Sequence, residues 1–293
     1  MNGLCRAFGK KFVPEFVDSR RLTIQDIIER SLKKGKGTEQ AAAANLATSL
    51  CIQLRGEADD MYREIKPILI TIMTDRTSSP LARISVANTL GNLCFLAAPA
   101  ITEVEAVMET FERIFAIHHS GGIDCSIDWT LCTAALSSWT LLATVLPLSR
   151  AHDLLINHAE LFGKLLDAPD VDLRIATGEA IAVLYEYLAD ADDGGGSDGE
   201  DGVVERSDDP AKEELEKVAA NLVPKLKQLS TDSQKFRSKK DRKEQKSSFR
   251  DILRTIEEGD SYYEKVAINK REKLEIESWA MKKQYEMVAK VIH

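Results

Sequence analysis

The sequence predicts an all-α fold, a right-handed α-solenoid of stacked helical pairs, and three observations carry that prediction. Apolar residues make up 44% of the 293-residue chain while aromatics supply only 6%, and Ala and Leu dominate, a composition suited to closely packed helices. Apolar positions recur at i, i+3, i+4 and i+7, and strict alternation of the strand type is nowhere sustained. One segment type also returns at a roughly fixed interval. Superposing the small residues Ala44, Ala87, Ser138 and Gly178 gives steps of 43, 51 and 40 residues. These steps bracket the ~40–47-residue period of armadillo and HEAT units, in which each helical pair buries its face only against its neighbours. About four or five pairs follow from that period.

The elements follow in order. Residues 1–37 form an N-terminal helical segment, and residues 38–189 form the armadillo-like repeats. Four segments, Ala41 to Leu54, Arg83 to Leu96, Ala134 to Leu146 and Arg174 to Leu188, open on small residues and close on larger apolar ones. They read as inner, nearly all-apolar helices. Between them lie amphipathic helices: Met61 to Thr74, Glu103 to Ile117, and Ser149 to Leu166, which carries Leu154, Leu155, Ala159, Phe162 and Leu165. Gly35-Lys36-Gly37-Thr38, Ser78-Ser79-Pro80, Ser120-Gly121-Gly122 and Ala168-Pro169-Asp170 punctuate the boundaries, with Thr38 and Asp170 expected as N-caps. Residues 190–209 have almost nothing to bury and are expected to form a disordered acidic loop, either a solvated spacer or a decoy over a basic surface. Residues 210–293 are expected as C-terminal helices with a basic patch. Pro224 should kink or split the helix that begins at Pro210, and Leu274 to Ile292 reads as one more helix.

Charge divides unevenly. Lys and Arg against Asp and Glu give −5 for residues 1–189, −8 for 190–210 and +5 for 211–293, so an acidic average conceals a basic C-terminal third. Five cysteines, Cys5, Cys51, Cys94, Cys125 and Cys132, show no C-x-x-C spacing, which points to a reducing compartment, cytosol or nucleus. No run approaches the ~20 apolar residues of a membrane span, and the N-terminus lacks a secretory pattern, so no membrane partner is expected.

Spacing offers no catalytic constellation. There is no G-x-S-x-G, no P-loop, no H-E-x-x-H and no dinucleotide fingerprint. Neighbouring His118 and His119 would point about 100° apart on a helix and rarely chelate one ion. His152 and His158 fall on different faces. Asp59-Asp60 and Glu257-Glu258 read as solvated surface. Neither an enzyme, a cofactor, a metal nor a small-molecule substrate is expected.

The functional signal is a basic run. Lys235, Arg237, Lys239, Lys240, Arg242, Lys243 and Lys246 are opposed only by Asp241 and Glu244, and Arg250 and Arg254 follow. Phosphates neutralised by such residues release condensed counterions, which gives salt-sensitive affinity without sequence specificity. RNA, DNA and import receptors all fit, and so does a solvated face without a partner. Only Phe236 and Phe249 lie nearby, which is wrong for a single-strand stacking platform and better suits backbone contact on structured nucleic acid.

Three stretches carry a resemblance: Arg20 to Leu54, Asp170 to Leu188, and Arg237 to Asp260 followed by Glu277-Ser278-Trp279. The most specific part is Lys240-Asp241-Arg242-Lys243-Glu244-Gln245-Lys246-Ser247-Ser248-Phe249-Arg250-Asp251-Ile252-Leu253-Arg254. Together they resemble the interferon-related developmental regulator family over nearly the whole chain. The resemblance implies an armadillo-like domain in a non-enzymatic regulator of gene expression, cytoplasmic and nuclear. Members of the family are described both as occupants of non-translating ribosomes and as transcriptional co-regulators tied to histone-deacetylase complexes. Applied here, the first role sets the basic block against ribosomal RNA. The second makes the repeat surface a dock for co-repressor proteins, with Lys239 to Lys243 aiding nuclear import. Longer members carry a further C-terminal region, so a fragment or short isoform is expected.

Overall fold

A computed structural model describes residues 1–116, 128–193, 210–231, 239–269 and 272–292, with side chains left undescribed at 191–193, 210–212, 239–242 and 292. The described residues form twelve helices and one two-stranded sheet, the all-α helical-repeat class that the periodicity predicts. They divide into two compact units, residues 1–145 with 283–293, and residues 146–282.

Unit 1 begins with α1 (Asn2–Lys10) and α2 (Pro14–Lys34), both packed on α3 (Thr38–Leu54). The pairs α4 (Asp59–Thr74) with α5 (Pro80–Ala97), and α6 (Ile101–Phe115) with α7 (Trp129–Ala143), complete it. Helices α3, α5 and α7 pack in a row, and α2, α4 and α6 each cover one of them. The covering helices are amphipathic, as expected: α6 buries Val104, Val107, Met108, Phe111, Ile114 and Phe115 on one face. An inner helix touches neighbours on several sides, so α5 buries Thr89, Leu93, Val86, Leu90, Cys94, Ala87 and Gly91, an arc of roughly 200°.

Small residues set the distance between inner helices. A Cβ added at Gly91 would lie 2.6 Å from the Ser138 Cβ and 3.2 Å from its Cα, so α5 and α7 meet almost backbone to backbone. Ser138 Oγ donates to the Ala87 carbonyl at 3.3 Å across the same contact. Two helix starts here carry a side-chain cap: Ser79 accepts from Ala82 N–H at 3.2 Å with Pro80 at the first helical position, and Asp128 accepts from Leu131 N–H at 3.1 Å. Thr38 departs from expectation. It is the first residue inside α3, and Gly37, at φ 49°, holds the N-cap position without a side-chain bond.

Unit 2 consists of α8 (Arg150–Leu165), α9 (Val171–Asp193), α10 (Pro210–Thr231), α11 (Lys239–Glu258), β1 (Glu264–Ala267) and β2 (Lys273–Ile276). Two helical pairs stack here, α8 on α10 and α9 on α11, with α8 against α9 and α10 against α11. Asp170 caps α9 as expected, accepting from Leu173 N–H at 2.9 Å. Helix α10 continues through Pro224. A proline inside a helix costs about 3 kcal/mol, and burial of Val218, Leu222 and Leu226 on either side of it offsets that cost.

The segment read as one helix from Leu274 changes character. Strand β2 pairs antiparallel with β1, Glu264 opposite Ile276 and Ala267 opposite Lys273, and helix α12 (Trp279–Ile292) starts only after it. Leu274 and Ile276 stand two residues apart, a strand's alternation, but four residues are too few for that period to register against the helical pattern that follows. Residues 279–282 of α12 count with unit 2 and the remainder with unit 1. Asp190 to Asp193 of the acidic stretch extend α9. The rest of that stretch, 194–209, lies outside the described residues, as do His118, His119 and Cys125.

Candidate nucleic-acid interface

Helix α11 carries the basic run, and its opposite face fixes it in place. Phe249 and Ile252 are fully buried, and Gln245 and Thr255 nearly so. Phe249 and Ile252 fill the space above Gly178 of α9, where an added Cβ would meet Ile252 Cδ1 at 2.7 Å and Phe249 Cε1 at 2.9 Å. The small residue at the fourth repeat position thus seats the basic helix.

Polar anchors complete the attachment. The buried Arg174 donates from Nη2 to Gln245 Oε1 at 2.5 Å and from Nη1 to the Ala168 carbonyl at 2.9 Å. Gln245 Nε2 in turn donates to the Leu229 carbonyl at 3.1 Å, so one carboxamide ties α9, α10 and α11 together. Among the described residues Arg174 Nε is buried without a hydrogen-bond partner. Thr255 Oγ1 accepts from Trp279 Nε1 at 2.8 Å. The backbone N–H of Trp279 donates to both oxygens of the Glu186 carboxylate, at 2.8 and 3.0 Å. Burial pushes Glu186 above the usual carboxylate range, against the lowering effect of the backbone N–H groups of Trp279, Ala280 and Tyr262. Lys282 donates to Glu179 at 2.6 Å and lies over the rings of Tyr262 and Trp279, at 5.0 and 4.7 Å from their centroids.

The outward face presents cations. Lys243 and Arg250 are exposed and Lys246 is half-buried; steps of three and four residues align them in one stripe. Among the described residues none of these three has a carboxylate within ion-pair distance. Arg254 differs, since its guanidinium pairs with Asp260 at 2.8 Å and reaches Glu258 at 3.9 Å. Lys239, Lys240 and Arg242 lie in the first turn of α11, with side chains outside those described, and Lys235 and Arg237 lie outside the described residues altogether. Cations at a helix start oppose the macrodipole, at ~0.3–1 kcal/mol each. The first turn therefore carries a charge that helix stability does not ask for.

Among the described residues no three of His, Cys, Asp and Glu are placed to hold a metal ion. Burial pushes the Cys51 and Cys94 thiols up to about 12 and about 11, so both stay protonated at neutral pH. Among the described residues no helix is long and apolar enough to cross a membrane. Sequence reasoning found the cations but missed Arg174, Gln245, Glu186 and Trp279, which hold them in place. Arg174 did leave a trace, as the one basic residue of α9.

Comparison with known proteins adds to this geometry. The family model described as interferon-related developmental regulator matches residues 1–257. Interferon-related developmental regulator 1 of Sus scrofa is 35% identical over 299 residues, covering 100% of this chain and 62% of its own length. The Mus musculus protein of that name is 36% identical with the same coverage. Interferon-related developmental regulator 2 of Mus musculus is 34% identical over 293 residues, covering 97% of this chain and 62% of itself. The chain thus spans about 62% of the length of these relatives.

Proposed function

Since the chain belongs to the interferon-related developmental regulator family, we propose that it is a non-enzymatic regulator of gene expression that binds ribosomes through the backbone of ribosomal RNA. One observation carries this reading: Lys243, Lys246 and Arg250 form an outward stripe without internal carboxylate partners among the described residues, on a helix whose other face is locked into the repeats.

That arrangement suits a polyanion. A helix rises 1.5 Å per residue, so the stripe spaces its charges about 4.5 and 6 Å apart along a straight line. The helix is ordered before binding, so only side-chain freedom is lost when the phosphates arrive. Each phosphate contact releases counterions, and three contacts steepen the salt dependence of log K by roughly 2–3. The helix exposes no aromatic platform, which suits a folded RNA backbone better than unstacked bases.

Co-sedimentation of the full chain with purified ribosomes at two salt concentrations tests it. The variant Lys243→Glu/Lys246→Glu/Arg250→Glu should lose the pellet at moderate salt while its melting temperature stays within a few degrees, as expected for surface changes. Undiminished co-sedimentation removes the reading. The rival, a nuclear adaptor for histone-deacetylase co-repressor complexes, predicts that co-repressor subunits are captured equally by the reversed variant and at either salt concentration.

A further inference from the structure

Unit 1 contains a polar cleft that ribosome binding does not use. The inner helices α3, α5 and α7 form its floor and residues 283–291 of α12 one wall, with a volume of about 270 Å³.

Three carboxamides line the floor: Asn45 from α3, and Asn88 and Asn92 from α5. Asn45 and Asn88 occupy the same place in successive repeats, one residue beyond the buried Ala44 and Ala87. Among the described residues none of the three side chains has a hydrogen-bond partner. A carboxamide offers a donor and an acceptor side by side, as a peptide group does. Neighbouring packed helices lie about 8–10 Å apart, and one three-residue turn of a polyproline II chain advances about 9.3 Å. A chain in that conformation would set the same edge of its backbone against one repeat after another.

Charge narrows the occupant further. Arg6 and Lys290 line the cleft, exposed and without an ion pair among the described residues. The one acid there, Glu286, is engaged by the buried Lys283 at 3.1 Å. The cleft is therefore net positive.

We infer that this cleft holds an extended, acidic peptide segment of a partner protein, its backbone paired to Asn45, Asn88 and Asn92 and its carboxylates to Arg6 and Lys290. Specificity lies in the charge at the rim, and the carboxamides supply sequence-independent grip. The site uses no residue of helix α11, so the inference is independent of the ribosome reading.

The probe is a displayed library of short random peptides selected on the full chain, followed by fluorescence anisotropy of an enriched peptide. Enriched sequences should carry Asp or Glu, and their Lys-substituted counterparts should not bind. Asn88→Ala/Asn92→Ala should weaken binding about tenfold or more, since two or more hydrogen bonds are lost. Arg6→Glu, on an exposed position that folding does not need, should weaken it independently. Both variants should co-sediment with ribosomes as the parent does, which separates failure here from failure of the ribosome reading. Enrichment of no peptide, enrichment of basic peptides, or equal binding by both variants would overturn the inference.

Discussion

Gly178→Ala puts the seating of the basic helix to a quantitative test. Two opposing effects meet at this position. Alanine is favoured over glycine inside a helix by about 0.8–1 kcal/mol, so on propensity alone the change stabilises α9. The new methyl carbon would sit 2.7 Å from Ile252 Cδ1 and 2.9 Å from Phe249 Cε1, both closer than carbon atoms tolerate. Phe249 and Ile252 are fully buried, so neither can swing into solvent. Overpacking of this kind costs about 1–3 kcal/mol. The clash wins, and a net loss of about 1 kcal/mol is expected, visible as a fall of roughly 2–4 °C in the melting temperature of a chain this long. Urea unfolding followed by circular dichroism measures it. Ile252→Val removes the nearer of the two atoms, so Gly178→Ala/Ile252→Val should be more stable than the sum of the single changes predicts. If Gly178→Ala raises the melting temperature, the contact between α9 and α11 is looser than described and the argument fails.

Two further predictions concern charge. Arg250→Glu should weaken ribosome co-sedimentation more than Arg254→Glu, because Arg254 already faces Asp260 at 2.8 Å while Arg250 has no carboxylate among the described residues; equal losses would show that the internal pair gives way to RNA. Glu186 is pushed above the ordinary carboxylate value of 4.5 by burial, so the folded chain holds this proton more tightly than the unfolded one. Its contribution to stability is fully present below pH 4.5 and is lost as pH rises through the folded value. Glu186→Gln cannot ionise, and its carbonyl oxygen still accepts from the Trp279 N–H. The difference in urea midpoint between the variant and the parent should therefore move in the variant's favour between pH 4.5 and neutrality, and a constant difference would contradict the assigned burial effect.

The repeats were legible because their signal is redundant. Ala44, Ala87, Ser138 and Gly178 mark one position four times over, and any one could be misread without losing the period. Gly178 reads only as a small residue and Gly91 carries no mark in the sequence, yet each is the point where two helices touch. What the chain hides are single long-range contacts. Arg174 and Gln245 are 71 residues apart, and Glu186 and Trp279 93 apart; no local period encodes either meeting. The sheet of β1 and β2 was missed for the opposite reason, since four-residue strands carry too little pattern to register. Pro224 shows propensity yielding to burial on both sides of it. Of the candidate site, the cations were plain in the sequence, but their division into an outward stripe, an internally paired Arg254 and a first turn against the dipole came only with the helix in place.

Gln245, between Arg174 and the Leu229 carbonyl, sits one residue before Lys246. The proposed recognition and the architecture share one stretch of sequence, not two modules joined by a tether. Shortening the chain before residue 239 would strip α9 and α10 of a neighbour and bare Gly178 to solvent, so the loss would register as collapse of unit 2 as much as lost affinity. Drift is constrained in the same way: a lysine on the stripe can be exchanged for arginine at no cost to the fold, whereas its neighbours Gln245 and Phe249 cannot change without moving every charge beside them.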